Sequence, residues 1–281
     1  MIVQEQRINL NGLSIRYFQT GNEGLPLVLF HGTGESALDW SWVLPQLGEK
    51  HRVYALDFPG SGESAKPIQD YSIDFYTQFA TAFLDAIALD RAVIVGNSLG
   101  GLIALKIALS RPTQVAGLVL IDSAGLGTWV NPLLSSLTLP IYGEVGIAGC
   151  RTPVGAVMRS RSRAALQFAH PEQIPIAWYA EQENLAQSFG FLEATLSSLR
   201  AQLYPIGQRA VMVDALPQLQ MPTLLIWGED DLIFPKTQAE AAVKQLREGY
   251  LKVIPDCGHI PHLEQPDRFL IALDEFLSNI A

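Results

Sequence analysis

The sequence predicts an α/β fold in which a mostly parallel central sheet is flanked by helices and a helical segment is inserted into the chain. Short apolar runs that end in turn residues alternate with stretches of helical periodicity, as in a parallel sheet covered by helices on both faces. One long stretch breaks this alternation, because its apolar residues recur only at helical spacing and prolines divide it. We therefore expect a core domain of residues 1–124 and 214–281 and an inserted helical cap of residues 125–213.

The elements of the core can be assigned in chain order. Asn11 and Gly12 separate two alternating runs, so residues 7–19 are predicted to form a β-hairpin. Ser72 can cap a helix, because apolar residues follow it at helical spacing. Further strands are predicted at residues 25–30, 52–57, 92–96, 115–121, 223–227 and 250–254, and further helices at residues 40–47, 99–110 and 235–246 and after Pro266.

Composition and charge narrow the class of partner. The chain has 281 residues, of which 48% are hydrophobic and 17% charged, the balance of a globular protein with a substantial core. A formal net charge of −9 argues against nucleic acid and against anionic lipid, because both need a basic face. One basic cluster is present, and its members are Arg151, Arg159, Arg161 and Arg163. We interpret it as a solvated face.

Cysteine usage and hydropathy indicate the compartment. Cys150 and Cys257 lie in no metal-ligand spacing, and a chain of this length with two cysteines does not depend on disulfides. The first ten residues have no apolar run behind a basic head, so no signal peptide is predicted. Acids and prolines interrupt the apolar residues 116–149, so no spanning helix is expected. These features favour a cytoplasmic protein without stable membrane insertion, and they leave its oligomeric state open.

A serine at the joint of two buried elements is the first candidate catalytic residue. Residues 96–100 (GNSLG) connect the strand at 92–96 to the helix at 99–110. Such a sharp turn strains its central residue, and the flanking glycines remove side chains that would collide. Ser98 would then project from the carboxyl edge of the sheet at the start of a helix. There the Leu99 N–H can stabilise an oxyanion, so Ser98 is predicted to be a nucleophile.

A serine nucleophile needs a base, and His259 is the best candidate of the five histidines. It lies in the loop after the last predicted strand, at the ligand-binding edge of the sheet. His51 and His170 are interpreted as structural or surface residues, and His31 as a packing residue. His262 is expected at the beginning of the final helix.

The base in turn needs a carboxylate that fixes its tautomer. The turn after the penultimate strand contains Glu229, Asp230 and Asp231, and we favour Asp231 because the other two can be solvated turn residues. Asp122 follows the strand at 115–121 and is the alternative acid, although a capping or loop contact also explains it.

The remaining requirement is a second donor to the oxyanion. Residues 31–34 (HGTG) form a glycine-rich loop beside the serine strand, and the Thr33 N–H is the expected donor together with that of Leu99. A glycine-rich turn without this role would have the same sequence. Neither a metal ion nor an organic cofactor is expected for this chemistry.

Together these motifs resemble those of the α/β-hydrolase family. Ser98, Asp231 and His259 also follow one another in the family's order. The resemblance covers residues 25–124 and 214–281 and implies the fold and a Ser-His-Asp triad. The matching segments are 31–34 for the oxyanion loop, 57–64 for the family's D-x-x-G-x-G-x-S turn, 96–101 for the nucleophile elbow, 228–231 for the acid turn and 258–261 for the histidine loop.

Single residues narrow the subfamily that the resemblance implies. Haloalkane dehalogenases and epoxide hydrolases of this fold carry an aspartate in place of Ser98, so both are excluded. The Gly-Asn-Ser elbow followed by Gly-Gly is similar to carbon–carbon hydrolases of ring-opened aromatic diketones and to some hydrolases of chlorophyll-derived esters. Trp42 stands where the carbon–carbon hydrolases have an asparagine, and this departure argues against a diketone substrate.

The expected function is therefore a serine hydrolase that cleaves an ester or related acyl bond of a small to medium apolar substrate through an acyl-enzyme. A carbon–carbon hydrolase of diketone-type substrates and a small-molecule receptor of the same fold are the alternatives. Acyl transfer to another acceptor and perhydrolysis would use the same triad. Some apolar residues of the cap should line the pocket, and the candidates are Trp129, Leu133, Leu134, Leu137, Leu139, Ile141, Phe168, Trp178, Tyr179 and Phe189.

Overall fold

A twisted sheet covered by helices on both faces forms the centre of the computed structural model, which describes residues 2–280. The strands among these residues are β1 (Gln4–Leu10), β2 (Leu13–Thr20), β3 (Leu27–Phe30), β4 (Val53–Leu56), β5 (Ala92–Asn97), β6 (Val115–Ile121), β7 (Leu203–Tyr204), β8 (Gly207–Gln208), β9 (Thr223–Gly228) and β10 (Gly249–Ile254). Eight of them form one sheet in the order β1-β2-β4-β3-β5-β6-β9-β10. Within this eight-stranded sheet, β1 with β2 and β2 with β4 pair antiparallel and every other described pair is parallel, so the predicted fold class is confirmed.

Helices connect most of these strands. They are α1 (Leu44–Leu47), α2 (Ile73–Ala86), α3 (Leu99–Ser110), α4 (Pro132–Ser136), α5 (Tyr142–Cys150), α6 (Pro153–Gln167), α7 (Ile176–Gln187), α8 (Phe191–Gln202), α9 (Thr237–Ala242), α10 (Pro261–Glu264) and α11 (Pro266–Ile280). Among residues 2–280, each helix is too short or too polar to cross a bilayer.

The local signals in the sequence correspond to observed turns and caps. Asn11 and Gly12 both have positive φ (53° and 82°), the type I′ geometry that joins twisted antiparallel strands tightly. The Ser72 hydroxyl accepts a hydrogen bond from the Phe75 N–H and caps α2. The helix predicted at 40–47 is shorter, α1 (Leu44–Leu47), and a 3₁₀ turn at Ala37–Trp40 precedes it. The helix predicted at 235–246 is divided into α9 and a 3₁₀ turn at Val243–Gln245.

The sheet separates two apolar cores. Strands β3, β4, β5, β6 and β9 are buried along their whole length, which explains why they read as continuous apolar runs. Phe79 and Phe83 of α2 pack on one face together with α3. Phe269 and Leu273 of α11 pack on the other. The carboxyl ends of β3, β5, β6 and β9 are therefore held side by side at one edge of a rigid layer.

The segment between β6 and β9 contains helices α4 to α8, as its periodicity predicts. The segment is not helical throughout, as its periodicity predicted it to be, because β7 and β8 pair as a short antiparallel ribbon. Each of these strands has two residues, too few to produce an alternating pattern. The division into core and cap at residues 125 and 213 stays a prediction.

Candidate active site

Ser98 lies at the tip of the turn between β5 and α3. Its backbone is strained, with φ 54° and ψ −116°. A Cβ on Gly96 would lie 2.2 Å from the Gly100 carbonyl oxygen, and one on Gly100 would lie 2.3 Å from that of Phe30. Both positions therefore require glycine. Ser98 is half-buried while the residues around it are fully buried, so the turn exposes this one side chain.

His259 and Asp231 form a buried pair beside this turn. His259 Nδ1 lies 2.9 Å from Asp231 Oδ2, and the two residues are 2% and 8% exposed. The other Asp231 oxygen accepts a hydrogen bond from the Ile233 N–H at 2.7 Å. Because an ionised carboxylate only accepts hydrogen bonds, Nδ1 carries the ring proton. The Nε2 atom of His259 is then the free basic nitrogen.

The histidine loop is held from both sides. Asn97, the residue before Ser98, donates from Nδ2 to the His259 carbonyl oxygen at 3.0 Å. The His259 N–H donates to the carbonyl oxygen of Gln167, the last residue of α6, at 2.6 Å. A Cβ on Gly258 would lie 2.4 Å from that same oxygen, so glycine is required there. The elbow and the inserted segment thus jointly position His259.

The oxyanion loop lies directly against the elbow. A Cβ on Gly32 would be 3.3 Å from Ser98 Cβ. Among residues 2–280, neither the Thr33 N–H nor the Leu99 N–H donates a hydrogen bond to another group of the protein. The two expected oxyanion donors are therefore free. The loop itself is fixed by His31, whose Nδ1 donates to the Gly32 carbonyl at 2.7 Å while Nε2 accepts from the Phe58 N–H at 3.1 Å.

Asp122 lies close to the His259–Asp231 pair. One oxygen of Asp122, one of Asp231 and a ring nitrogen of His259 all lie within 4.8 Å of one another. Asp122 Oδ1 accepts a hydrogen bond from the Gly228 N–H at 2.9 Å, and the side chain is fully buried. Burial and the charge of Asp231 raise the pKa of Asp122 well above its ordinary value. Asp122 is therefore a neutral acid next to the carboxylate that holds the histidine.

The other candidates from the sequence lie elsewhere. Glu229 and Asp230 are exposed, and Glu229 pairs with Lys236. The expectation that His262 begins the final helix is wrong, because it lies in the separate short helix α10, where its ring stacks on Trp40 with centroids 3.9 Å apart. Burial and the nearby His259 lower the pKa of His262 to about 3, so it stays neutral.

The interpretation of the arginine cluster as a solvated face is wrong for two of its four members. Arg159 and Arg163 are four residues apart on α6 and face the oxyanion loop, where Arg163 pairs with the buried Glu35. Arg161 lies on the other side of the helix, exposed and stacked over Tyr179. Arg151 pairs with Glu193 at the surface. The sequence did contain a signal for this pair, because residues at i and i+4 lie on the same face of a helix.

A cavity of about 780 Å³ opens beside Ser98, His259 and Thr33. Of the predicted lining residues, Leu133, Leu134 and Leu137 border it. Phe168, Trp178 and Tyr179 instead pack with Ile260 and Leu263 in a separate core, and Trp129, Leu139, Ile141 and Phe189 are exposed. Most of the other apolar lining residues come from α5, α6 and α8 and were not predicted from the sequence. They include Val145, Ile147, Met158, Leu192, Leu196 and Leu199.

A mostly parallel sheet with a strained serine between a central strand and its following helix is the arrangement of the α/β-hydrolase fold. The chain belongs to the alpha/beta hydrolase family, whose sequence model matches residues 27–272. It is 30% identical over 281 residues to the 2-hydroxy-6-oxo-6-(2'-aminophenyl)hexa-2,4-dienoic acid hydrolase of Metapseudomonas resinovorans. The match covers 99% of this chain and 92% of that protein.

Solved structures of two other enzymes are also similar. A membrane phospholipase A described as a bacterial virulence factor superimposes with a TM-score of 0.83 at 26% identity, over 99% of this chain and 86% of that one. An N-acyl homoserine lactone degrading enzyme, Est816, superimposes with a TM-score of 0.76 at 26% identity, over 96% of this chain and 100% of that one. These similar proteins are thus named for different substrates.

Proposed function

We propose that this protein is a serine hydrolase that cleaves an ester or a related acyl bond of a small to medium apolar substrate through an acyl-enzyme. The observation that carries the proposal is the hydrogen bond between His259 Nδ1 and Asp231 Oδ2, beside the cavity that Ser98 and His259 share. In this arrangement Ser98 is the nucleophile, His259 the base and Asp231 the residue that orients the base.

In the first half of the reaction, His259 Nε2 accepts the hydroxyl proton of Ser98 as the oxygen attacks the substrate carbonyl. Asp231 stabilises the imidazolium that forms. The developing oxyanion accepts hydrogen bonds from the N–H groups of Thr33 and Leu99, which have no other acceptor among residues 2–280. His259 then gives the proton to the leaving alcohol, and the acyl group stays on Ser98.

In the second half, a water molecule takes the place of the alcohol. His259 accepts a proton from this water as it attacks the acyl carbon, and the carboxylic acid leaves as Ser98 regains its proton. The cavity supplies apolar walls for the acyl group, several of them from α5, α6 and α8. We propose on this basis that residues 125–213 act as a cap on a core of residues 1–124 and 214–281.

Carbon–carbon hydrolysis is the second candidate, and the relative from Metapseudomonas resinovorans favours it. The environment of Trp42 supports the ester instead. This side chain packs against the core formed by Phe168, Trp178 and Ile260 and does not border the cavity. A polar group from position 42 is therefore not available to a diketone in the cavity. A receptor of the same fold would bind its ligand and react at most once.

Steady-state hydrolysis of p-nitrophenyl esters from acetate to palmitate tests the proposal. We expect multiple turnovers with an optimum of chain length, and loss of turnover in Ser98→Ala. Ser162→Ala is the matched control, because Ser162 borders the same cavity from α6 without contacting the elbow. Hydrolysis that survives in Ser98→Ala would refute the mechanism. A single slow turnover would favour a receptor, and turnover of a ring-opened diketone alone would favour the carbon–carbon hydrolase.

A further inference from the structure

Arg159 is a cation in the wall of an otherwise largely apolar cavity. We infer that the substrate of the proposed reaction carries a carboxylate in addition to the bond that is cleaved, and that Arg159 binds this carboxylate. The inference deepens the proposed function and rests on it. It depends on where Arg159 lies, on which charges surround it, and on which of its N–H groups are free.

Arg159 lies next to the oxyanion loop. It borders the cavity together with Ser98, Thr33 and His259. Its Nη2 lies 3.4 Å from the Gly34 carbonyl oxygen, one residue beyond the expected oxyanion donor. The face of the guanidinium is covered by Phe191, with Cζ 5.4 Å from the ring centroid. A group bound to Arg159 would therefore share the cavity with the acyl group on Ser98.

The neighbouring charges leave Arg159 without a counterion. Glu35 is the carboxylate of this region, and it pairs with Arg163 and accepts hydrogen bonds from Gln167 and Gln182 at 2.7 and 2.6 Å. Burial and the adjacent Glu35 raise the pKa of Asp39 well above its ordinary value, so Asp39 is neutral. Within residues 2–280, no carboxylate oxygen lies within 4.0 Å of Arg159. Two arginines thus face one negative charge.

The hydrogen bonds of Arg159 are also incomplete. Nη1 donates to the carbonyl oxygen and to Oε1 of Gln182, at 3.2 and 3.1 Å, and Nη2 donates to the Gly34 carbonyl. A guanidinium has five N–H groups. In the part of the chain that the structure describes, the Nε–H and one N–H of Nη2 have no acceptor. Two such groups are what a carboxylate needs for bidentate binding.

The burial of the Arg159 guanidinium favours binding of a carboxylate. Burial and the like charge of Arg163 lower the pKa of Arg159 to about 9, so the group is still charged at neutral pH but is destabilised by its surroundings. An anion bound in the cavity would stabilise the charged guanidinium and offset the unfavourable free energy of its burial. A neutral substrate would leave the charge buried and unpaired, which is unfavourable.

Matched pairs of esters test the inference. The p-nitrophenyl monoesters of succinate, glutarate and adipate are compared with the neutral p-nitrophenyl butyrate, pentanoate and hexanoate by their kcat/KM ratios. We expect the ratio of anionic to neutral ester to exceed one for at least one chain length. In Arg159→Gln this ratio should fall roughly tenfold or more, because a buried charge pair with the substrate is lost. In Arg159→Lys the ratio should stay between those of the parent protein and Arg159→Gln, because lysine keeps the charge but not the bidentate geometry.

Arg161→Gln is the matched control, since Arg161 lies on the same helix but is exposed over Tyr179 and should leave the ratio unchanged. A ratio below one at every chain length, or one that Arg159→Gln does not change, would overturn the inference. Binding of hexanoate and of hexanol to Ser98→Ala, measured by calorimetry, separates the two proposals. Hexanoate binding that depends on Arg159 supports the carboxylate site even if no ester is hydrolysed, and equal binding of both compounds contradicts it.

Discussion

Asp122 and Asp231 are neighbouring buried carboxyl groups that share one site with His259, with one ligand atom of each residue within 4.8 Å of the others. They follow β6 and β9, which pair as neighbouring parallel strands. Two buried carboxylates so close together cannot both be ionised at low cost. Both Asp231 oxygens already accept hydrogen bonds, one from the Ile233 N–H and the other from His259 Nδ1, whereas burial and Asp231 raise the pKa of Asp122. The proton therefore belongs to Asp122, which can donate it to Asp231.

This arrangement predicts opposite effects for two isosteric variants. Asp231→Asn should reduce ester turnover on the order of 10⁴-fold, because the amide no longer holds the histidine tautomer or stabilises the imidazolium. Asp122→Asn should cost less than about tenfold, since its amide can accept from Gly228 and donate to Asp231 as the neutral acid does. Steady-state kinetics of both variants provides the measurement. If Asp122→Asn is the more damaging, Asp122 is the triad acid.

The protonation of Asp122 also predicts how stability depends on pH. A carboxyl group with a raised pKa in the folded protein stabilises the fold below its unfolded pKa of about 4, and this stability is lost as pH rises towards the folded pKa. Asp122→Asn has no such proton. We therefore expect the melting temperature of the variant, relative to the parent protein, to increase between about pH 4 and pH 8. A difference that is constant with pH would show that Asp122 is ionised.

Glu35 connects the oxyanion loop to α6 and α7, and its charge should be important for stability. Glu35→Gln would leave Arg163 without its buried counterion, at a cost of roughly 3–5 kcal/mol. Chemical denaturation measures this loss. The double variant Glu35→Gln with Arg163→Gln is the matched control, and it should recover part of the stability because neither charge remains. No recovery would mean that packing, and not the ion pair, determines the effect.

Chelation tests the expectation that no metal is needed. Asp122, Asp231 and His259 could offer three ligand atoms, but the Asp231 oxygen and the His259 nitrogen bind each other and Asp122 is neutral. Dialysis against EDTA should therefore leave ester turnover unchanged. Loss of turnover that zinc or another divalent ion restores would refute this expectation.

The features that could be predicted from the sequence are those that depend on residues close together in the chain. The Ser98 turn depends on glycines two residues away, and the hairpin at Asn11 depends on backbone conformations that few residues adopt. The orientation of Arg159 towards the cavity depends on how α6 docks on the oxyanion loop, which no local pattern records. The proximity of Asp122 to Asp231 likewise required the strand order, because the two residues are far apart in the chain.

The central claim is that Ser98 is a nucleophile activated by His259 and Asp231. Its most direct test is the rate at which a fluorophosphonate labels the protein, followed by intact-mass spectrometry and located by peptide mapping. The account predicts one adduct on Ser98, none in Ser98→Ala, and much slower labelling in Asp231→Asn. Labelling at another residue, or a rate that Asp231→Asn does not change, would contradict it.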